Sequence, residues 1–251
     1  MIDVGFEPPI AAALDELAKA HRILAMVGHE DLTSGHLSWR DPHGRGLWIK
    51  RSGIGMDEAW TNDDFILIDF AGTKLAGSGS CHVEWPIHAE IMRARPEVNA
   101  IGHTHAFYSQ IFSTTDEPLR PVGKQGVWFE DVPKFKDTCN LVRTPEIGRA
   151  LAQKLGANDA VFMLSHGIAF VGTTIREATL VGIFLEKAVR AHVTIAQTGF
   201  RYSWPTAEDA REKRAQTRTP RGIDNYWAYL ERHLPTPGSA PVYGQKLELS
   251  E

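Results

Sequence analysis

Between Ile10 and Val27 the apolar residues Ile10, Leu14, Leu17, Ile23, Leu24 and Val27 recur mostly three or four apart, with Asp15, Glu16, Lys19 and Arg22 between them. That period places them on one face of a helix, which Gly28 ends. The pattern then changes. Leu37 to Arg40, Leu47 to Lys50 and Phe65 to Asp69 are short alternating runs bounded by Asp-Pro, Gly and Asp-Asp punctuation, which predicts neighbouring strands of a sheet. A second helix is expected over Trp85 to Arg95 and is stopped by Pro96. Val98 to His103 follows as a strand, and its Ala100, Ile101 and Gly102 suit burial on both faces.

From Thr114 to Thr144 no period emerges, and Trp128 and Phe129 are read as exposed on a long loop of the kind that serves a site. Glu146 to Leu155 reads as a helix, Ala160 to Leu164 and Ile168 to Val171 as strands. Ile175 to Gln197 is the longest helix, with Ala178, Val181, Leu185, Ala188 and His192 as its inward stripe and Thr173 or Thr174 as its cap. The tail is charged from Tyr202 onward and then aromatic. Asp224 to His233 is expected to be a helix with Tyr226, Tyr229 and Leu230 on one face. Strands and helices mixed along one chain, with no repeat and no linker, indicate an α/β or α+β three-layer domain over 1–200, followed by a C-terminal extension over 201–251.

Composition narrows the function classes. Lys and Arg number 27 against 31 Asp and Glu, for a net charge of −4, so nothing drives binding to nucleic acid or to an anionic membrane. No apolar run approaches the roughly 20 residues of a membrane helix. The two cysteines, Cys81 and Cys139, cannot build a disulfide framework, and Met1 to Pro9, with Asp3 and Glu7, does not read as a secretion signal. The expected setting is the cytoplasm. Eleven histidines are many for 251 residues.

In His103-Thr104-His105 both imidazoles face one way, because side chains alternate along an extended backbone. His166 directly follows a predicted strand. Three neutral imidazoles with an open position form a common catalytic set for a divalent ion; two surface histidines and a loop histidine are the plainer alternative. Glu84 stands just before a helix with His88 one turn later, and a carboxylate there is either a ligand or base, or a first-turn residue favoured by the helix dipole.

Taken in order, Thr33-Ser34-Gly35-His36-Leu37-Ser38, Ser52-Gly53-Ile54, Glu84-Trp85-Pro86-Ile87-His88, Ile101-Gly102-His103-Thr104-His105 and Ser165-His166-Gly167 resemble the motifs of the metal-dependent class II aldolase/adducin family, over roughly Ile10 to Gln197. The resemblance implies one divalent ion per subunit (Zn, Mn, Fe or Co) held by His103, His105 and His166. It makes Glu84 the acid/base residue that also touches the metal. It further implies an αβα sandwich around a mixed, largely antiparallel sheet, assembled as a homotetramer with sites at subunit interfaces. Retained ligands argue against a non-catalytic, adducin-like scaffold.

Sugar-phosphate aldolases of the family typically carry Gly-Asn in the first loop and paired serines before the acid/base Glu. Here His36 replaces the Asn, and His82 and Val83 replace the serines, so the phosphate cradle is damaged although Ser34, Gly35, Ser52 and Gly53 remain. The stretch Gly46 to Gly55 resembles instead the branch that decarboxylates hydroxylated aromatic or heteroaromatic acids, such as dihydroxyphthalates or hydroxypyridine dicarboxylates. Arg51 can pair bidentately with a substrate carboxylate, which Lys50 meets only as a point charge; a solvated strand end is the alternative for both. The expected activity is therefore a carboxy-lyase acting on a small molecule, with Glu84 or His82 as proton donor. A sugar-phosphate aldolase and a non-haem iron oxygenase are its rivals. Tyr226 and Tyr229 are expected to reach a neighbouring subunit's site or to dock on their own.

Overall fold

The computed structural model describes residues 7–236, so Met1 to Phe6 of the N-terminal segment and 237–251 of the extension lie outside it. Among the described residues eight α-helices and eight strands run in the order α1 (Pro8–Leu24), β1 (His36–Arg40), β2 (Leu47–Lys50), β3 (Phe65–Ile68), β4 (Lys74–Ala76), α2 (Trp85–Ala94), β5 (Ala100–Thr104), α3 (Phe107–Phe112), α4 (Gly123–Gly126), β6 (Lys134–Phe135), α5 (Pro145–Leu155), β7 (Ala160–Met163), β8 (Gly167–Gly172), α6 (Ile175–Gln197), α7 (Ala207–Thr217) and α8 (Pro220–Arg232). The strands form one sheet in the order β4-β3-β2-β1-β5-β8-β7-β6. Every neighbouring pair is antiparallel except β6 with β7.

Both faces of this sheet are covered, as its alternation requires. Trp48, Phe65, Leu67, Ala100, Phe162 and Phe170 pack with α1, α6 and α8 on one side. Leu47, Ile49, Ile66, Ile68, Ile101, Val161 and Ala169 pack with α2 and α5 on the other. Successive strand residues point to opposite faces, so two helical layers sandwich one sheet. At the centre, Phe170 fills a gap that only glycine leaves: a Cβ on Gly102 would lie 2.2 Å from its ring, and one on Gly182 2.7 Å.

Several expectations need correction. The regular turns of α1 end at Leu24 and a wider turn over Ala25–His29 follows, in which Gly28 at φ +92° breaks the helix as expected. Trp128 and Phe129 are only 1% and 4% exposed. The Trp128 ring meets Phe184, and its Nε1–H donates to Thr217 Oγ1 on α7, which explains a loop that looks aperiodic: its anchors belong to a distant partner, not to a local stripe. Helix α7 carries almost no apolar stripe, burying only Ala210, and is held by the Thr206 cap and by Arg214 and Arg218 on Asp159. Thr174 is the cap of α6, accepting from the Glu177 N–H, while the Thr173 hydroxyl donates to the Glu177 carboxylate. On α8 the buried anchor is Trp227, with Tyr226 against Phe184; Tyr229 is 55% exposed and stacks on His233. Among the described residues no helix is long and apolar enough to cross a membrane.

Candidate metal centre

Strand β5 ends in His103 and Thr104, with His105 immediately beyond. His103 is fully buried, and its Nδ1 lies 2.9 Å from the Ile168 carbonyl of β8. A carbonyl only accepts, so Nδ1 carries the proton and the His103 Nε2 lone pair points away from β8. The Nδ1 of His105 lies 2.7 Å from Asp31 Oδ2, which fixes the same tautomer. The two Nε2 atoms then face each other at 3.2 Å. Two lone pairs at that distance repel unless a proton or a cation sits between them. Burial, followed by the neighbouring His103, pushes His105 down to about 4 despite Asp31, so a shared proton is disfavoured near neutrality.

His166 arrives from the tight β7–β8 connection, where Ser165 adopts φ +51° and its N–H donates to Ser113 Oγ. The Gln110 side chain donates to the His166 carbonyl. The His166 Nε2 is buried and has no hydrogen-bond partner. Glu84, at the N-terminal cap of α2, lies with Oε2 3.5 Å from His103 Nε2 and Oε1 3.5 Å from His166 Nε2. Its Oε1 also accepts from the Val142 N–H at 2.8 Å, which is how the irregular segment before α5 serves the site. Burial pushes this carboxyl up, but the His103 and His166 rings 3.5 Å away outweigh it and hold the group well below the usual carboxylate range. Glu84, His103, His105 and His166 each offer one ligand atom, all within 4.8 Å of one another. Imidazole nitrogens with fixed lone pairs, an orphaned Nε2 and an ionised carboxylate are the donor set that a divalent cation requires.

A second group of imidazoles adjoins the first. His36 is the β1 register partner of His103, and the two rings are 5.3 Å apart. The His82 ring lies 4.3 Å from His36, is hydrogen-bonded to the Arg51 backbone, and has a buried, unpartnered Nε2. Burial, reinforced by Lys50, lowers His82 to about 4. On the other side, His36 Nδ1 is 2.7 Å from His88 Nε2, and His88 Nδ1 is 2.7 Å from Ser38 Oγ.

The remaining expected residues divide. Ser34 sits in the tight turn that carries Asp31, its N–H donating to the Asp31 carbonyl, and Gly35 at φ +76° leads into His36. Ser52 donates its N–H to Ser80 O, and Gly53 turns at φ +87°. The Arg51 guanidinium faces Asp64 at 3.3 Å, not the histidines. Lys50 is no solvated strand end: it is fully buried, donates to the Ile54 and Thr33 carbonyls, and is pushed down to about 8 by burial. Tyr226 and Tyr229 sit on α8, across the sheet from His103, so within one chain they do not line this site. Asp31, Val142 and the His88–Ser38 pair were not singled out as site residues from sequence. Only His88, by its helical spacing from Glu84, carried a signal there.

The model of the class II aldolase and adducin N-terminal domain matches residues 15–193. The chain belongs to that family. A meiotically up-regulated gene 14 protein of Schizosaccharomyces pombe is 29% identical over 190 residues, covering 72% of this chain and 72% of that protein. A 3,4-dihydroxyphthalate decarboxylase of Terrabacter sp. is 28% identical over 213 residues, covering 79% of this chain and 87% of the relative. Among solved structures, an L-fuculose 1-phosphate aldolase from Glaciozyma antarctica superposes with a TM-score of 0.77 at 27% identity, over 89% of this chain and 90% of that one. The described sheet and its two helical layers are the class II aldolase fold, and the family includes lyases of both kinds.

Proposed function

We propose that the chain is a metal-dependent carbon–carbon lyase that decarboxylates a hydroxylated aromatic or heteroaromatic carboxylate, of the dihydroxyphthalate or hydroxypyridine dicarboxylate type. His103, His105 and His166 hold one divalent ion (Zn, Mn, Fe or Co), with Glu84 beside it. A bound ion there supplies a Lewis acid and a template for a ring hydroxyl and its neighbouring carboxylate. Carbonyl and carboxylate partners hold His103 and His105 in the tautomer that presents Nε2 inward. Glu84 carries the proton, with His82 as the alternative carrier next to it.

The observation that carries the carboxy-lyase reading is the wall beside Glu84. It consists of the His36 and His82 rings, 4.3 Å apart, together with Val83, where a phosphate cradle needs hydroxyl donors. Imidazole faces suit a flat ring, and the Val83 side chain donates no hydrogen bond to a phosphate. The decarboxylase relative supports the same direction, whereas the aldolase likeness supports the fold and the metal. Arg51 enters through its backbone, which holds His82, because its side chain is engaged by Asp64.

We also propose assembly as a homotetramer with the site near an interface. Leu32, Val83, Phe107 and Leu141 are 46% to 64% exposed and stand within two residues of Asp31, Glu84, His105 and Val142 in sequence, an apolar rim that a second copy would cover. In that arrangement Tyr226 and Tyr229 reach a neighbour's site. The experiment is metal analysis of the purified protein, followed by parallel assays of CO₂ release from ortho-hydroxy aromatic dicarboxylates and of retro-aldol cleavage of L-fuculose 1-phosphate. Cleavage of the sugar phosphate without CO₂ release overturns the carboxy-lyase reading.

A further inference from the structure

His36 and Ser38 are two apart on β1 and point to the same face, and a single side chain from the helix above, His88, reaches between them. All three are buried, and both hydrogen bonds measure 2.7 Å. The line has two possible directions. In one, His36 Nδ1–H donates to His88, His88 Nδ1–H donates to Ser38, and the Ser38 hydroxyl must find another acceptor. Among the described residues Ser38 Oγ has His88 as its side-chain partner, so that direction strands a buried proton. In the other, the Ser38 O–H donates to His88 Nδ1, His88 Nε2–H donates to His36 Nδ1, and every group in the line is satisfied. The consequence falls on the far nitrogen: His36 Nε2 then carries a proton.

We propose that His88 and Ser38 form a buried bracket that fixes the tautomer of His36, and that His36 Nε2–H donates a hydrogen bond to the substrate carboxylate beside the metal centre. His36 is the contacting residue; His88 and Ser38 are positioning residues. The chemistry explains the choice of side chain. A neutral donor held from behind grips an anion without adding a positive charge next to the cation held by His103, whose ring is 5.3 Å away. The ligand it selects is a planar carboxylate, and this part of the proposal rests on the carboxy-lyase reading given above.

Two substitutions at one position separate positioning from mere structure. The terminal amide of glutamine overlays Nε2 of histidine and that of asparagine overlays Nδ1. His88→Gln therefore keeps the contact to His36 and loses Ser38, while His88→Asn keeps Ser38 and loses His36. Each leaves one buried contact unmade, so their structural damage is alike. In the zinc-loaded protein, nitrogen-15 resonances of the histidine side chains should report an Nε2-protonated His36 in the wild type and in His88→Gln, and a tautomer mixture in His88→Asn. With 3,4-dihydroxyphthalate as probe, His88→Asn should raise KM about tenfold, as expected for loss of a hydrogen bond to a charged group, with a smaller change in kcat. His88→Gln should remain within about threefold of the wild type, well under the cost of one such bond. An unchanged His36 tautomer in His88→Asn, or an equal rise of KM in both variants, overturns the bracket. A wild type that releases no CO₂ overturns the carboxy-lyase reading alone, because the resonance measurement needs no turnover.

Discussion

Lowering the pH should unfold this protein through His21, and the size of the effect follows from the structure. His21 lies on α1 with no exposed surface; its Nδ1–H donates to the Leu17 carbonyl, and its Nε2 accepts the Leu37 N–H at 2.9 Å. Both nitrogens are therefore committed to the neutral ring. Burial, followed by the charge of Lys50, pushes the group from 6.5 down to about 3. A depressed histidine contributes stability that is present above the unfolded value and is lost as pH falls toward the folded one, because the unfolded chain takes up a proton that the folded chain refuses. Between about pH 7.5 and about pH 5 that uptake costs roughly 2 kcal/mol for one such group. His29, also pushed by burial to about 3, adds a similar amount. Urea unfolding of the wild type and of His21→Gln at both pH values isolates the His21 contribution, since His29 and the metal centre are common to both. The wild type should lose about 2 kcal/mol more than the variant on acidification. Parallel losses would refute the assignment of a buried neutral His21, and with it the account of how α1 is fastened to β1 beside His36.

Further outcomes follow from the same contacts. Gly102→Ala drives a Cβ into the Phe170 ring and should cost about 1–3 kcal/mol in denaturant unfolding, whereas an overlap relieved by small shifts would leave the midpoint unchanged. Glu84→Gln keeps the shape and the hydrogen bond from Val142 but removes the proton-carrying group; it should retain metal and lose about a hundredfold or more in kcat, and unchanged turnover would pass the role to His82. Truncation before Asp224 removes most of α8, including Trp227, and should lower activity and weaken assembly together; a truncated tetramer with wild-type kinetics would make α8 a helix that serves only its own subunit.

Much of this fold was legible because both faces of the sheet are buried, so the strands read as short apolar runs and the long helices as stripes. Helix α6 was read with the bounds the structure has, since its cap and its period agree. Strand β4 escaped because it is only three residues long, helix α7 because it exposes most of its residues and carries no stripe, and Trp128 because its partners are Phe184 and Thr217, far along the chain. In the site, the spacing His103-Thr104-His105 was enough to predict two rings on one side. Asp31, which orients His105 from 74 residues away, has no local signature, and neither does the Val142 N–H on Glu84. The burial of Lys50 was not legible for the opposite reason: a lysine at a strand end normally reaches water, and only the loops of Thr33 and Ile54, folded back over it, bury it.

Carbon–carbon cleavage is proposed to depend on a divalent ion held by His103, His105 and His166. Elemental analysis of the wild type and of His105→Ala, with CO₂ release from 3,4-dihydroxyphthalate followed on the same samples, tests it most directly. About one ion per chain and metal-dependent CO₂ release are expected in the wild type, and loss of both in a variant that remains folded, because His105 lies beyond the end of β5 and donates no ladder hydrogen bond. Full metal content in the folded variant, or CO₂ release that survives removal of the ion, would contradict it.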